Sequence, residues 1–211
     1  MIALGLSAAA RLGAQDPGAV LDRAQSAYDS ARTLTAEFTQ VVNNPLVGAP
    51  DTTRGTLRQM RPNFFEMRFS VPRGDRIVAD GRYLWLYTPS TTPGQVIRSA
   101  IPATGTTGPN LIGQFVDHAH ERYALRYVRS DTLPPDGVAD VIALDPRVAE
   151  LPYRRAVLWV NRDDALLRRL DITERSGQER TIVLRALRVN EPMAARAFRF
   201  AVPPGVRVVE Q

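Results

Sequence analysis

Apolar positions along this chain follow two periods, and the change between them is abrupt. Val20, Leu21, Ala24, Ala27, Tyr28 and Ala31 recur every three or four residues, which is one face of a helix. Asp16 and Pro17 supply its start, an N-cap acid followed by proline at the first helical position. From Leu34 the period becomes two. Leu34, Ala36 and Phe38 alternate with Thr35, Glu37 and Thr39, as side chains alternate across a strand.

Short strands then dominate to the C-terminus. The pattern predicts them at Thr53–Met60, Phe64–Ser70, Arg76–Ala79, Tyr83–Tyr87, Gln95–Arg98, Tyr123–Arg129, Val138–Leu144, Arg155–Asn161, Leu166–Thr173, Arg180–Val189 and Phe198–Val202. Turn chemistry separates many of them: Pro72-Arg73-Gly74, Asp80-Gly81, Pro134-Pro135-Asp136-Gly137, Asn161-Arg162-Asp163-Asp164 and Ser176-Gly177. Connections this short favour neighbouring antiparallel pairs, and so many strands in one chain imply a large curved sheet or barrel. A second helix is predicted at Pro109–His118, after a Pro, Thr and Gly loop from Pro102 to Gly108. Two packings satisfy this pattern. The helices either seal the sheet into an ordinary core or cap it loosely over an apolar cavity.

Composition narrows the picture. Hydrophobic residues make up 44% and charged residues 23%, which suits one globular domain. The net charge is +5, and every cation is Arg because the sequence contains no Lys. These arginines are scattered singly among acids and apolar residues, with only pairs such as Arg154-Arg155 and Arg168-Arg169. They read as solvated strand faces rather than a nucleic-acid surface. The absence of Cys excludes disulfides, thiolate metal sites and a cysteine nucleophile. Residues Met1 to Ala14, small and apolar with Arg11 interrupting, read as the remnant of a signal peptide. Residues 15–211 are then expected to form a single domain.

Catalytic constellations are poorly represented. His118 and His120, in Asp117-His-Ala-His-Glu121, share one face if extended, yet a metal would need a further ligand from elsewhere. They read as surface histidines at a helix end. Gly105-Thr-Thr-Gly108 lacks the Lys of a P-loop, and there is no Gly-x-Ser-x-Gly elbow. The expectation is a protein without catalysis, metal or cofactor. The apolar residues carry more information: Phe38, Met60, Met67, Phe69, Trp85, Tyr87, Trp159 and Phe200 are the candidates for a cavity lining.

An ordered set of short motifs then stands out: Phe38-Thr-Gln40, Gly55-Thr-Leu57, Arg61-Pro62-Asn-Phe-Phe65, and Asp80-Gly81-Arg-Tyr-Leu84-Trp85-Leu-Tyr87-Thr-Pro89. Gly108-Pro109 with Leu111 follows, and Ala197-Phe198-x-Phe200-x-x-Pro203-Pro204-Gly205-Val206 closes the series. Together they resemble the LolA family of outer-membrane lipoprotein carriers. The resemblance implies a mainly β fold, an incompletely closed antiparallel barrel under a lid of short helices. It implies a periplasmic monomer that takes acylated lipoproteins from an inner-membrane ABC-type transporter and delivers them towards an outer-membrane receptor. By position, Arg61 matches the family's lid-latching arginine and Phe65 the aromatic implicated in docking to the transporter. The related receptor carries an N-terminal Cys, so this Cys-free chain is more similar to the soluble carrier. The alternative on the same fold is a lipid- or glycolipid-binding relative, or a sensor of envelope stress. The proline-rich segment Asp131–Arg155 is longer than the resemblance leads one to expect.

Overall fold

Asp16 opens the first helix through the geometry its sequence predicts: its carboxylate accepts a hydrogen bond from the Gly18 N–H at 2.9 Å, with Pro17 in the first turn. Helix α1 (Pro17–Ser30) buries Val20, Leu21, Ala24 and Tyr28 along one stripe. The computed structural model describes residues 15–46, 48–101, 112–148 and 151–211. Residues 1–14, expected to be a signal-peptide remnant, and residues 102–111, expected to hold a loop and the start of the second helix, lie outside the described residues.

Twelve strands follow: β1 (Thr33–Asn43), β2 (Asp51–Met60), β3 (Phe64–Val71), β4 (Arg76–Asp80), β5 (Tyr83–Tyr87), β6 (Gln95–Ala100), β7 (Tyr123–Thr132), β8 (Val138–Pro146), β9 (Tyr153–Asn161), β10 (Leu167–Glu174), β11 (Glu179–Val189) and β12 (Arg207–Glu210). They form one sheet in the order β12-β6-β5-β4-β3-β2-β1-β11-β10-β9-β8-β7. Every pairing is antiparallel except β12 with β6. β12 and β7 lie at the two ends of this order, so the sheet is open. The fold is mainly β, with short helices as cover. The proline-rich segment around Asp131–Arg155 is the β7–β8–β9 meander, integral to one end of the sheet.

Two expected elements differ. The second helix is two single turns, α2 (Gly113–Val116) and α3 (Ala119–Arg122). Asp117 is extended and His118 takes a left-handed φ of 52°, which ends the first turn and re-aims the second. The apolar alternation at Phe198–Val202 is not a strand. Ala195–Phe198 is a short 3-10 helix, and the segment after it runs across the sheet unpaired until β12. Its alternating apolar residues are explained by what they cover. Phe198 is fully buried with its ring 5.5 Å from Phe64, and Phe200 stacks on Trp85 at 5.3 Å.

Register assigns each strand residue to a face. Cross-strand partners share a face, so one continuous row runs Ala79–Phe65–Gln59–Leu34, and a second runs Ile77–Met67–Leu57–Ala36. Ile182, Leu170, Leu158, Ile142 and Tyr127 extend the same face across the other half of the sheet. This inner face joins α1, α2 and α3 in one hydrophobic cluster. Tyr28 ties α1 to it, because its buried hydroxyl accepts from the Leu167 N–H at 3.1 Å. Burial pushes the Tyr28 phenol strongly upward, although the Leu167 N–H and the charge of Arg168 favour the ionised form.

On the outer face, the segment after β11 lies over β2–β5. Beneath it Glu66 is buried, 2.5 Å from Arg58 Nε and 2.5 Å from Arg76 Nη2. Arg58 also donates to the Ala197 carbonyl at 2.7 Å, and its guanidinium sits over the Phe198 ring. The β4–β5 turn is organised by Asp80, which accepts from the Arg82 and Tyr83 N–H groups and from the Trp85 indole at 2.7 Å. Gly81 takes φ +95° in that turn, and a Cβ there would meet the Phe64 ring at 2.9 Å.

Candidate functional site

The described helices cover the inner face unevenly. α1 packs against β7 and β9, α3 against β7, and the Phe115 ring of α2 lies 5.4 Å from Tyr153 of β9. Over the other half, β1–β6 present Phe38, Leu57, Phe65, Met67, Phe69, Ile77, Ala79, Leu84, Leu86 and Ile97 towards the same side. Phe69, Ile77, Leu84, Leu86 and Ile97 are only half-buried. Phe38 and Phe69 meet edge-on at 5.2 Å, and Gly55 makes room for that contact. A Cβ at Gly55 would lie 2.9 Å from the Phe38 ring and 2.0 Å from the Arg68 carbonyl oxygen. The named side chains offer hydrocarbon contact and no charge. Such a wall can solvate an alkyl chain and cannot polarise a bond.

Arg61 stands just past the end of β2, beside this half of the sheet, with an exposed side chain against α1. Its N–H donates to the Arg32 carbonyl at 2.9 Å, and its guanidinium donates to Asp29 of α1, also at 2.9 Å. Asp117, at the break between α2 and α3, belongs to the same electrostatic group. Burial pushes its carboxyl up and the negative charge of Asp29 adds to this, while Arg61, His118 and Arg122 oppose it. Arg61 therefore touches α1 and electrically senses the α2–α3 junction. Neither acid carries a sequence signal on its own; a charged residue near the predicted end of α1 was the available hint.

The structure divides the candidate lining residues between the two faces. Phe38, Met67 and Phe69 lie together on the inner face. Trp85, Tyr87 and Phe200 form a separate outer cluster with Val78 and Val96. Their assignment to an inner cavity is corrected, because Trp85 is opposite Val78 and Glu66 in the register, on the reverse side from Met67. Met60 pairs with Thr33 and Phe64, which also places it outside, in an open groove with Arg32, Asn190 and Met193. Trp159 is on the outer face of β9 against Ala139 and Val141. Its indole donates to Asp131 at 2.8 Å, and Arg169 lies 4.5 Å from its ring. Phe65 is 4% exposed and points into the inner cluster, so in this conformation its side chain is not offered to a docking partner. Leu57, Ile77 and Leu84 were missed as lining residues. Carrying the parity of Phe65 and Met67 through the two hairpins would have found them.

His120 lies 2.9 Å from Asp22 and connects α3 to α1, and His118 faces Glu121 at 3.6 Å. Among the described residues no group of three or more His, Cys, Asp or Glu is arranged to hold a metal.

An open sheet, an apolar inner wall that the described helices cover unevenly, and an arginine bonded to α1 form a recognisable set. The family model described as outer membrane lipoprotein carrier protein LolA matches residues 29–201. The chain belongs to the LolA family. Among relatives, the outer-membrane lipoprotein carrier protein of Pasteurella multocida (strain Pm70) is 26% identical over 187 residues, 89% of this chain and 85% of that one. The protein of the same description from Pseudomonas aeruginosa (strain UCBPP-PA14) is 25% identical over 206 residues, 98% of this chain and 95% of that one. Solved structures share the LolA-type fold. An uncharacterized conserved protein of Thermus thermophilus superposes with a TM-score of 0.59 at 14% identity, covering 92% of this chain and 98% of that one. MucB superposes at 0.54 with 16% identity, covering 90% of this chain and 64% of that one.

Proposed function

We propose that this LolA-family chain is a periplasmic, non-catalytic carrier that holds the acyl chains of lipoproteins against the inner face of β1–β6. In this reading it acts as a monomer, receives cargo from an inner-membrane ABC-type transporter and delivers it to the outer membrane, through a receptor where one exists. The observation that carries the proposal is the apolar wall from Phe38 to Ile97, with five of its ten named residues only half-buried on the side of the helical cover. The energetics fit. An acyl chain of about fifteen methylenes costs about 12 kcal/mol to bring into water at ~0.8 kcal/mol each. A protein wall that replaces most of that hydrocarbon contact turns a very slow desorption into an exchange between similar solvents. Arg61 supplies the switch: its bond to Asp29 is made with the cover in place and is exchanged when cargo lifts the cover.

Native mass spectrometry of the protein purified from its host's periplasm tests the proposal. Release of triacylated or diacylated peptide supports lipoprotein carriage. Release of a free glycolipid or phospholipid alone would replace it with the lipid-binding alternative.

A further inference from the structure

A hollow of about 400 Å³ opens over β11, β1, β2 and β3, lined by Glu37, Thr39, Arg54, Thr56, Arg68, Ser70, Val183 and Arg185 with Phe38, Gly55 and Phe69 beneath. Register aligns its charged rows: Arg185 is opposite Glu37, Glu37 opposite Thr56, and Thr56 opposite Arg68. These residues alternate with the inner-wall residues, so the hollow belongs to the outer face. Two irregularities shape it. The β1–β11 register shifts between Thr35 and Glu37, beside Ala186, which takes an unfavourable φ of 49°. The β2–β3 register shifts between Arg54 and Gly55, where the strands pinch so closely that a Cβ would strike the Arg68 carbonyl. Bulges of this kind re-aim side chains, and a non-glycine residue held at positive φ in a strand is a strain that function can explain.

What sets the hollow apart is the grouping of its charges. On the strands, arginines with an acid nearby pair with it: Arg155 with Asp145, Arg169 with Asp171, Arg180 with Glu174. Within the hollow, Arg68 has only a 3.5 Å approach to Glu66. Among the described residues, the side chains of Arg54 and Arg185 make no hydrogen bond, ion pair or ring contact, although Glu37 lies directly across from Arg185. Three guanidiniums and one carboxylate leave the lining two charges positive, with three hydroxyls, Thr39, Thr56 and Ser70, around it.

We infer that this outer hollow binds a phosphate ester, with Arg54, Arg68 and Arg185 as its anion ligands. Exposed arginines on three strands around one hollow suit a tetrahedral group with several acceptor oxygens, whereas a planar carboxylate is satisfied by one guanidinium fork. The volume exceeds that of a bare phosphate and leaves space for the esterified group. The site is on the opposite face from the acyl wall and does not depend on the carrier reading.

The test titrates the full chain with glycerol 1-phosphate and with inorganic phosphate, following the arginine Nε–H resonances by NMR. A parallel arm measures flotation with phosphatidylglycerol and with phosphatidylcholine vesicles. The expected result is saturable movement of the Arg54, Arg68 and Arg185 signals, with affinity lowered at least tenfold in Arg54→Gln/Arg185→Gln, equivalent to about 1.4 kcal/mol. Circular dichroism and fatty-acyl binding should be unchanged in that variant. Flotation with phosphatidylglycerol alone would identify a lipid headgroup as the source, and soluble-ester binding without flotation would identify a free metabolite. Absence of saturation with every probe, or saturation unaltered by the double substitution, overturns the inference.

Discussion

At the scale of single residues, Arg61 joins the end of β2 to α1 and, through its charge, to the α2–α3 junction. It donates to Asp29 on α1 and its charge offsets the raised carboxyl of Asp117. Removing it should act on release rather than uptake, because bonds made only with the cover closed contribute when cargo leaves. Arg61→Leu is expected to acquire acylated cargo normally and to transfer it at least several-fold more slowly, read in a two-membrane transfer assay. It should also raise the Asp117 pKa further, which carboxyl NMR reports independently of transfer. Wild-type transfer by Arg61→Leu would reduce Arg61 to a surface charge. Arg73, exposed in the β3–β4 turn, is the appropriate control. Arg58 is not, because it neutralises buried Glu66.

Glu66 gives a second residue-scale prediction. Burial pushes its carboxyl up, but bonds from Arg76 and Arg58 and their charges outweigh burial and hold it below the usual carboxylate range. A depressed folded pKa contributes stability that is fully present above the unfolded value, about 4.3, and is lost as pH falls through the folded one. In urea unfolding, Glu66→Gln should be less stable than wild type by about 3–5 kcal/mol at pH 7, since it leaves guanidiniums without their charge partner. The gap should narrow steadily below about pH 4. A gap independent of pH would mean that the carboxylate charge is not what matters.

At the scale of elements, what was legible followed from period. The 3.6-residue stripe and the Asp16–Pro17 start marked α1, and two-residue alternation with turn residues placed strands close to their observed positions. The strap after β11 was not legible, because Phe198 and Phe200 alternate as a strand would while their backbone pairs with nothing. Alternation reports which side chains are buried; it does not report whether the backbone lies within the sheet or across it. The cavity candidates failed for a related reason. Leu84-Trp85-Leu86-Tyr87 is apolar on both sides because two separate clusters flank β5: the inner wall, and the strap stacked on Trp85. Phe198→Ala tests this division. It should cost about 3–5 kcal/mol by emptying a fully buried site, while the folded protein keeps its affinity for a fluorescent fatty acid. A large loss of affinity at unchanged stability would show that the strap side also holds ligand.

At the scale of the whole molecule, the two faces of the sheet differ. A single open sheet carries its described helices over β7–β10, a partly buried apolar wall over β1–β6, and a charged, strap-covered reverse side. Family membership was readable from six ordered motifs, and the structure explains three of them physically: Gly55 yields to the Arg68 carbonyl, Asp80 holds the Trp85 indole, and Arg61 meets α1. The separation of faces makes a direct measurement possible. A photo-crosslinking amino acid placed at Phe69 on the inner wall and, in a second protein, at Tyr87 on the outer side would be irradiated in cells producing an acylated lipoprotein. The account predicts an adduct through the acyl group at position 69, absent when the lipoprotein's acylation site is removed, and little or none at position 87. Equal adducts at both positions, or an adduct at 69 that persists without the acyl group, would contradict it.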